Sequence, residues 1–149
     1  MDKMVEQIVE SLKTGDEDSM LSMLNNDALI FDLLNSSKGK DAAKTKAFLS
    51  TKQGRLSISR KEMSRKQRIN AFFGSGLATQ IKINKQAFKS AGFNMEKEAP
   101  YSEGLSAQIQ FYRIMLDNAD DKKYAYDIEV IYCKGNYHLI EAAGFLNLL

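Results

Sequence analysis

Of the side chains that ordinarily titrate or react near neutral pH, this chain has one histidine, His138, and one cysteine, Cys133. His138 is the candidate general base, since imidazole is the side chain that ordinarily titrates near neutral pH. Strand alternation puts it on the face away from the expected core, so it reads as a solvated or partner-covered histidine. Asp127 and Glu129 stand two apart on one strand, a spacing that suits paired acid–base work. They also fall on the polar face, where strands ordinarily carry acids. Arg113 and Glu141 differ, because alternation puts both on the apolar face beside Tyr126 and Tyr137. A charge there must be paired or solvated. The two read either as charges at the sheet rim or as polar anchors of a ligand pocket between sheet and helices, with the tyrosines supplying rings and hydroxyls.

Other chemistries lack their residues. One histidine and one cysteine exclude Cys/His zinc sites, and there is no HExxH. No GxxxxGK[ST] or GxSxG is present, and Gly74-Ser75-Gly76 lacks a third glycine because position 79 is threonine. Asp117 to Asp121 resembles the start of a calcium loop, but Lys122 stands where glycine belongs and Ile128 where the closing glutamate belongs. It reads as a turn. No metal or cofactor is expected. A lone cysteine rules out an intrachain disulfide, and Cys133 reads as a small, half-buried apolar residue.

The net charge of +2 hides a segregation: residues 1–37 carry −6, residues 38–89 carry +12 and residues 90–149 carry −4. The acidic ends are expected to neutralise the basic middle across surface contacts; the alternative is a basic face for an anionic partner. The basic residues Arg55, Arg60, Lys61, Arg65, Lys66 and Arg68 cluster around one expected helix. Without exposed aromatics for stacking, that stretch reads as a solvated face more readily than as a nucleic-acid or other polyanion site.

The elements that must position these residues follow from spacing and caps. A length of 149 residues suits a single domain, residues 1–149. No apolar run approaches the roughly 18 residues that span a bilayer, so membrane insertion is not expected. The first residues alternate charged and apolar types without a signal-peptide core. The chain as given therefore reads as cytoplasmic, or as exported or lipid-anchored had a leader preceded it. Met1, Met4, Val5, Ile8, Val9 and Leu12 recur at helical spacing, with Gly15 as the C-cap and Asp16 as the cap of a second helix. Asp27 opens a further turn or two through Leu34. Leu56 and Ile58 alternate like a short edge strand, and Ser59-Arg60-Lys61-Glu62 is a capping box that should start a helix ending near Gly74-Ser75-Gly76. Residues 77–83 are ambiguous, Asn84 to Ala91 reads as a helix, and Pro100 marks the passage into a sheet.

Leu105 to Phe145 then reads as three antiparallel strands. On the first, Leu105, Ala107, Ile109 and Phe111 share a face with Arg113. On the second, Tyr124, Tyr126, Ile128, Val130 and Tyr132 share a face. A two-residue turn at Lys134-Gly135 or Gly135-Asn136 puts Tyr137, Leu139 and Glu141 on that covered side. The class is α+β: N-terminal helices packed on a curved antiparallel sheet with at least three C-terminal meander strands.

Two stretches resemble a known superfamily. MVEQIVESLKTGDEDSMLSML, residues 4–24, is similar to the opening helix, Gly-Asp break and second helix of the nuclear transport factor 2-like superfamily. IEVIYCKGNYHLIEAAGF, residues 128–145, is similar to its closing hairpin. The resemblance implies a cone-shaped, cystatin-like α+β roll with a pocket in the cone, often dimeric through the outer sheet face; small secreted bacterial domains of this fold are similar in having a long, basic, mostly helical middle. Residues 38–100 depart from the pattern, being long and basic where the superfamily usually has a helix and an early hairpin. Its enzyme branches use Asp, His or Tyr inside the pocket; here the matching inward positions are Tyr126, Tyr137, Leu139 and Glu141. The resemblance thus points to a non-enzymatic binding or accessory domain that engages a protein or small ligand. The alternatives are a ketosteroid-isomerase-like pocket with Glu141 as base and Arg113 or a tyrosine as anchor, and a polyanion binder using residues 55–68.

Overall fold

The computed structural model describes residues 1–24, 26–36, 40–77, 83–88, 94–98, 106–118, 120, 122–142 and 146–148. Among them helices come first: α1 (Asp2–Thr14), α2 (Glu17–Ser22), α3 (Asn26–Ser36), α4 (Lys40–Leu49) and α5 (Lys52–Gly74). Strands follow: β1 (Ile83–Phe88), β2 (Asn94–Glu98), β3 (Ser106–Asn118), β4 (Lys123–Cys133), β5 (Asn136–Glu141) and β6 (Leu146–Leu148). The fold is α+β, with its helices ahead of an antiparallel sheet.

Caps set the helix ends. Gly15 closes α1 in the left-handed region at φ 70°, and the Asp16 carboxylate accepts from the Ser19 amide at 3.0 Å to start α2. The α5 N-cap is Thr51, whose Oγ1 accepts from the Gly54 amide at 3.0 Å. The expected edge strand at Leu56 and Ile58 and the expected helix start at Ser59 are therefore both overturned, since these residues lie inside α5. Two alternating apolar residues cannot hold a strand against a proline-free run of helix-compatible neighbours. Glu62 closes no capping box; it pairs with Lys66 one turn on, at 2.8 Å. At Gly54 the ends of α4 and α5 meet, and a Cβ there would stand 1.9 Å from the Phe48 carbonyl oxygen.

The two long strands β3 and β4 lie at the centre of the sheet. β1 and β2 pair with the far side of β3, and β5 and β6 with the far side of β4. Residues 84–88, expected to be helical, belong to β1, paired at Lys85↔Asp117 through Phe88↔Ile114. A ladder formed with a distant strand overrides local helix preference. The remainder of that expected helix, most of 77–83, Pro100 and Leu105 lie outside the described residues. The first expected turn is an Asn118 turn: its Oδ1 accepts from the Asp120 and Lys122 amides at 3.0 and 2.9 Å. The second is Lys134-Gly135, both at positive φ (53° and 79°), the backbone of a tight two-residue hairpin.

Register decides the faces. Asp117 pairs with Lys123 and Arg113 with Asp127, so odd positions of β3 share a face with odd positions of β4. Tyr112, Ile114 and Leu116 therefore join Tyr126, Ile128, Val130 and Leu139 on a first face, covered by Val5, Ile8, Val9 and Leu12 of α1, Met20 of α2, Leu24, and Ile69 and Phe72 of α5. Ala107, Ile109 and Phe111 join Ile131, Cys133 and Ile140 on the second face, under Leu29 and Leu33 of α3. Two placements from sequence are thereby corrected. Arg113 is not beside Tyr126, and the outer face is not wholly open, because α3 occupies part of it. Alternation misleads here because both faces of the sheet bury apolar side chains. Ile58 packs against the second cluster, so α5 touches both and crosses the sheet at the β5 edge, where Arg65 donates to the Ile140 carbonyl.

Candidate functional site

The four pocket residues expected from sequence do not converge. Tyr126 is fully buried and its hydroxyl donates to the Ala142 carbonyl. Burial, and then the charge of Glu141, push its phenol pKa well above the ordinary tyrosine value, so it stays neutral. Its ring packs 5.8 Å from that of Phe72. Tyr137 is half-buried, with its ring 4.7 Å from that of Tyr132. The Glu141 carboxylate accepts from Arg68 Nε and Nη2 at 3.0 and 2.6 Å. Arg113 is exposed and donates to both Asp127 oxygens, at 2.8 and 2.9 Å. These hydrogen bonds, and then the Asp127 charge, raise its guanidinium pKa further.

His138 is also corrected. It faces away from the first core, but α3 covers it, leaving 9% of the residue exposed, and its Nε2 lies 2.7 Å from Asp32 Oδ2. Asn136 Nδ2 donates to the same oxygen at 3.1 Å. Desolvation raises the Asp32 carboxyl pKa, but the hydrogen bonds from Asn136 and His138 and the charges of His138 and Lys134 outweigh it. The net pKa lies below the ordinary 3.8. One turn along α3, Ser36 Oγ meets Cys133 Sγ at 3.3 Å. Sequence reasoning missed Asp32; its one local signal is an acid set among Leu29, Ile30, Phe31, Leu33 and Leu34. No group of three or more metal-ligating side chains occurs among the described residues.

The basic residues divide into two sets. Arg55 donates to the Ser50 carbonyl at 2.7 Å, Arg65 to Ile140, and Arg68 to Glu141 and to Ser64; Lys66 pairs with Glu62. Arg55, Arg65 and Arg68 thus fasten α5 to its surroundings, while the Lys66 pair lies within the helix. Arg60 and Lys61 have no hydrogen-bond or ion-pair partner among the described residues, and neither has Lys52, which the sequence reading left out. The three line one open groove of about 700 Å³ with Gln53, Leu56 and Ser57. A second groove, of about 320 Å³, is lined by Ser59, Glu62, Met63, Lys66, Gln67 and Asn70.

The expected neutralisation of the basic middle by the acidic ends is limited. Among the described residues Glu141–Arg68 joins a C-terminal acid to α5, and no ion pair joins an acid of α1 or α2 to it. Asp2, Glu6 and Glu10 stay exposed along α1. Helix α5 thus keeps a positive outer surface. Among the described residues no helix is long and apolar enough to cross a membrane.

These features define an α+β protein whose longest helix carries an unneutralised basic groove. No family model, curated protein or solved structure matches the chain.

Proposed function

We propose that the chain is a non-enzymatic binding or accessory domain that engages an anionic partner through the outer face of α5. The observation that carries this reading is the placement of Lys52, Arg60 and Lys61. Three cations without partners among the described residues share one open groove, on a helix whose other cations are engaged within the fold. Such a cluster raises the local concentration of an anion and speeds its capture. The α1 helix, the Gly15-Asp16 break and the Lys134-Gly135 turn support a nuclear transport factor 2-like roll as the scaffold, although α3 on the outer face departs from it. The pocket-enzyme alternative has less support, since Glu141 is engaged by Arg68 and Tyr126 by Ala142.

Retention on immobilised heparin tests the proposal. The protein should bind at low salt and elute as salt rises. Lys52→Glu with Arg60→Glu and Lys61→Glu should abolish retention without moving the urea midpoint, whereas Lys66→Glu should weaken it less. Failure of the unaltered chain to bind at low salt would reject the proposal.

A further inference from the structure

We infer that the occupant of this face is an amphipathic helix of an acidic protein. It lies along α5 with carboxylates toward Lys52, Arg60 and Lys61 and neutral polar residues toward Glu62 and Lys66. The inference rests on the binding role just proposed and names the partner's chemistry. Leu56, in the lining of the larger groove, and Met63, in that of the smaller, are 46% and 58% exposed, and at 100° per residue they fall within about 20° of each other as one ridge on α5. They are seven residues apart, two helical turns or about 10.5 Å. At 100° per residue the ridge points away from the buried Ile69 and Phe72 of the same helix.

Two large apolar side chains at this spacing match the stripe that a second helix presents at successive turns. Methionine adapts to an imperfect partner surface. The flanks differ in charge. The larger groove carries three cations, while in the smaller one Lys66 is paired with Glu62 and the remaining polar groups, Ser59, Gln67 and Asn70, are neutral. A nucleic acid would be better served by cations along both flanks and by rings for base stacking, and neither described groove lining contains an aromatic. Magnitudes favour the same choice. Burying a leucine or methionine strengthens binding by roughly ten- to a hundredfold, against about fivefold at most for an exposed ion pair. The charges steer and orient, and the ridge supplies most of the affinity.

The test compares three probes on the full chain by fluorescence anisotropy: poly-L-glutamate, a synthetic Glu-rich helix with leucine at every seventh position, and duplex RNA. The leucine-bearing helix should bind at least about tenfold more tightly than poly-L-glutamate. Leu56→Ser with Met63→Ser should erase that advantage, so that the two acidic probes bind alike, with the urea midpoint reporting an intact fold. Arg60→Glu with Lys61→Glu should weaken both. Equal binding of the two acidic probes, or tighter binding of RNA, would overturn the helix assignment while leaving an anion-binding face. Failure of all three would overturn the binding role as well.

Discussion

On the first face of the sheet, α1, α2 and α5 cover Ile114, Leu116, Ile128, Val130 and Leu139 with apolar side chains, and the Tyr126 hydroxyl is satisfied by Ala142. On the second face, α3 lays Leu29 and Leu33 over Ile109, Ile131 and Ile140. It also ties its polar side to the β4–β5 hairpin through Asp32 and Ser36. Apolar burial is non-directional and scales with area, so the broader first cluster sets the stability of the fold. The narrower second cluster needs directional bonds to fix where one added helix sits.

Matched leucine truncations on the two faces should give the largest effects. Leu139 is 3% exposed and Leu33 is 4% exposed, so the chemistry removed is the same. Leu139→Ala should cost about 2–5 kcal/mol in urea unfolding, as a single transition that lowers protection throughout β3 and β4. Leu33→Ala should cost less globally, because a single covering helix can shift to relieve the cavity. Amide exchange should accelerate in α3 while β4 stays protected. Equal loss of protection in both elements would show that α3 belongs to the main core.

How far the fold was legible follows from the range of each signal. The α1–α2 break was readable because Gly15 and Asp16 act within one turn of themselves, and Lys134-Gly135 was readable for the same reason. Residues 84–88 were not, because what makes them a strand is pairing with residues 114–117. The second face stayed hidden because period-two reading assumes one buried side, and β3 buries both: Ile109 beneath α3 and Ile114 beneath α1 and α5. Asp32 and His138 stand 106 positions apart, beyond any local pattern. Within the candidate site, Arg60 and Lys61 were visible in the basic run. Lys52 was not, since the helix was expected to begin after it. Nothing local marked Arg65 and Arg68 as bonded to β5.

A smaller effect is expected at the Asp32 cluster, where side-chain exposure is 13% for Asp32 and 9% for His138. Asp32→Ala leaves Asn136 and His138 without their shared acceptor and should cost about 1–3 kcal/mol at neutral pH, measured by urea. The pH dependence has a definite sign. The folded pKa of Asp32 is lowered below its ordinary 3.8, so the ionised carboxylate stabilises the fold at every pH above that value. The contribution is lost as pH falls below 3.8 and through the lower folded value. The difference between the unaltered chain and Asp32→Ala should therefore shrink as pH falls through that window. A difference that grew on acidification would contradict the assignment.

The smallest effect should come from Arg113, which makes the comparison sharper because it lies on the same second face as His138. Register fixes this: Arg113 pairs with Asp127, four positions along β4 from Ile131, which pairs with His138. The difference is cover. Arg113 and Asp127 form a two-point pair with good geometry, yet their side chains are 45% and 33% exposed. Water and salt screen such a pair, and ordering the long Arg113 side chain offsets much of what remains. The guanidinium is charged at every accessible pH, so its raised pKa adds no pH dependence. Arg113→Ala should leave the urea midpoint unchanged within error, at low and high salt alike. If it instead cost as much as Asp32→Ala, burial beneath α3 would not be what gives the Asp32 cluster its weight. The contrast between the covered and open ends of one face would then fail.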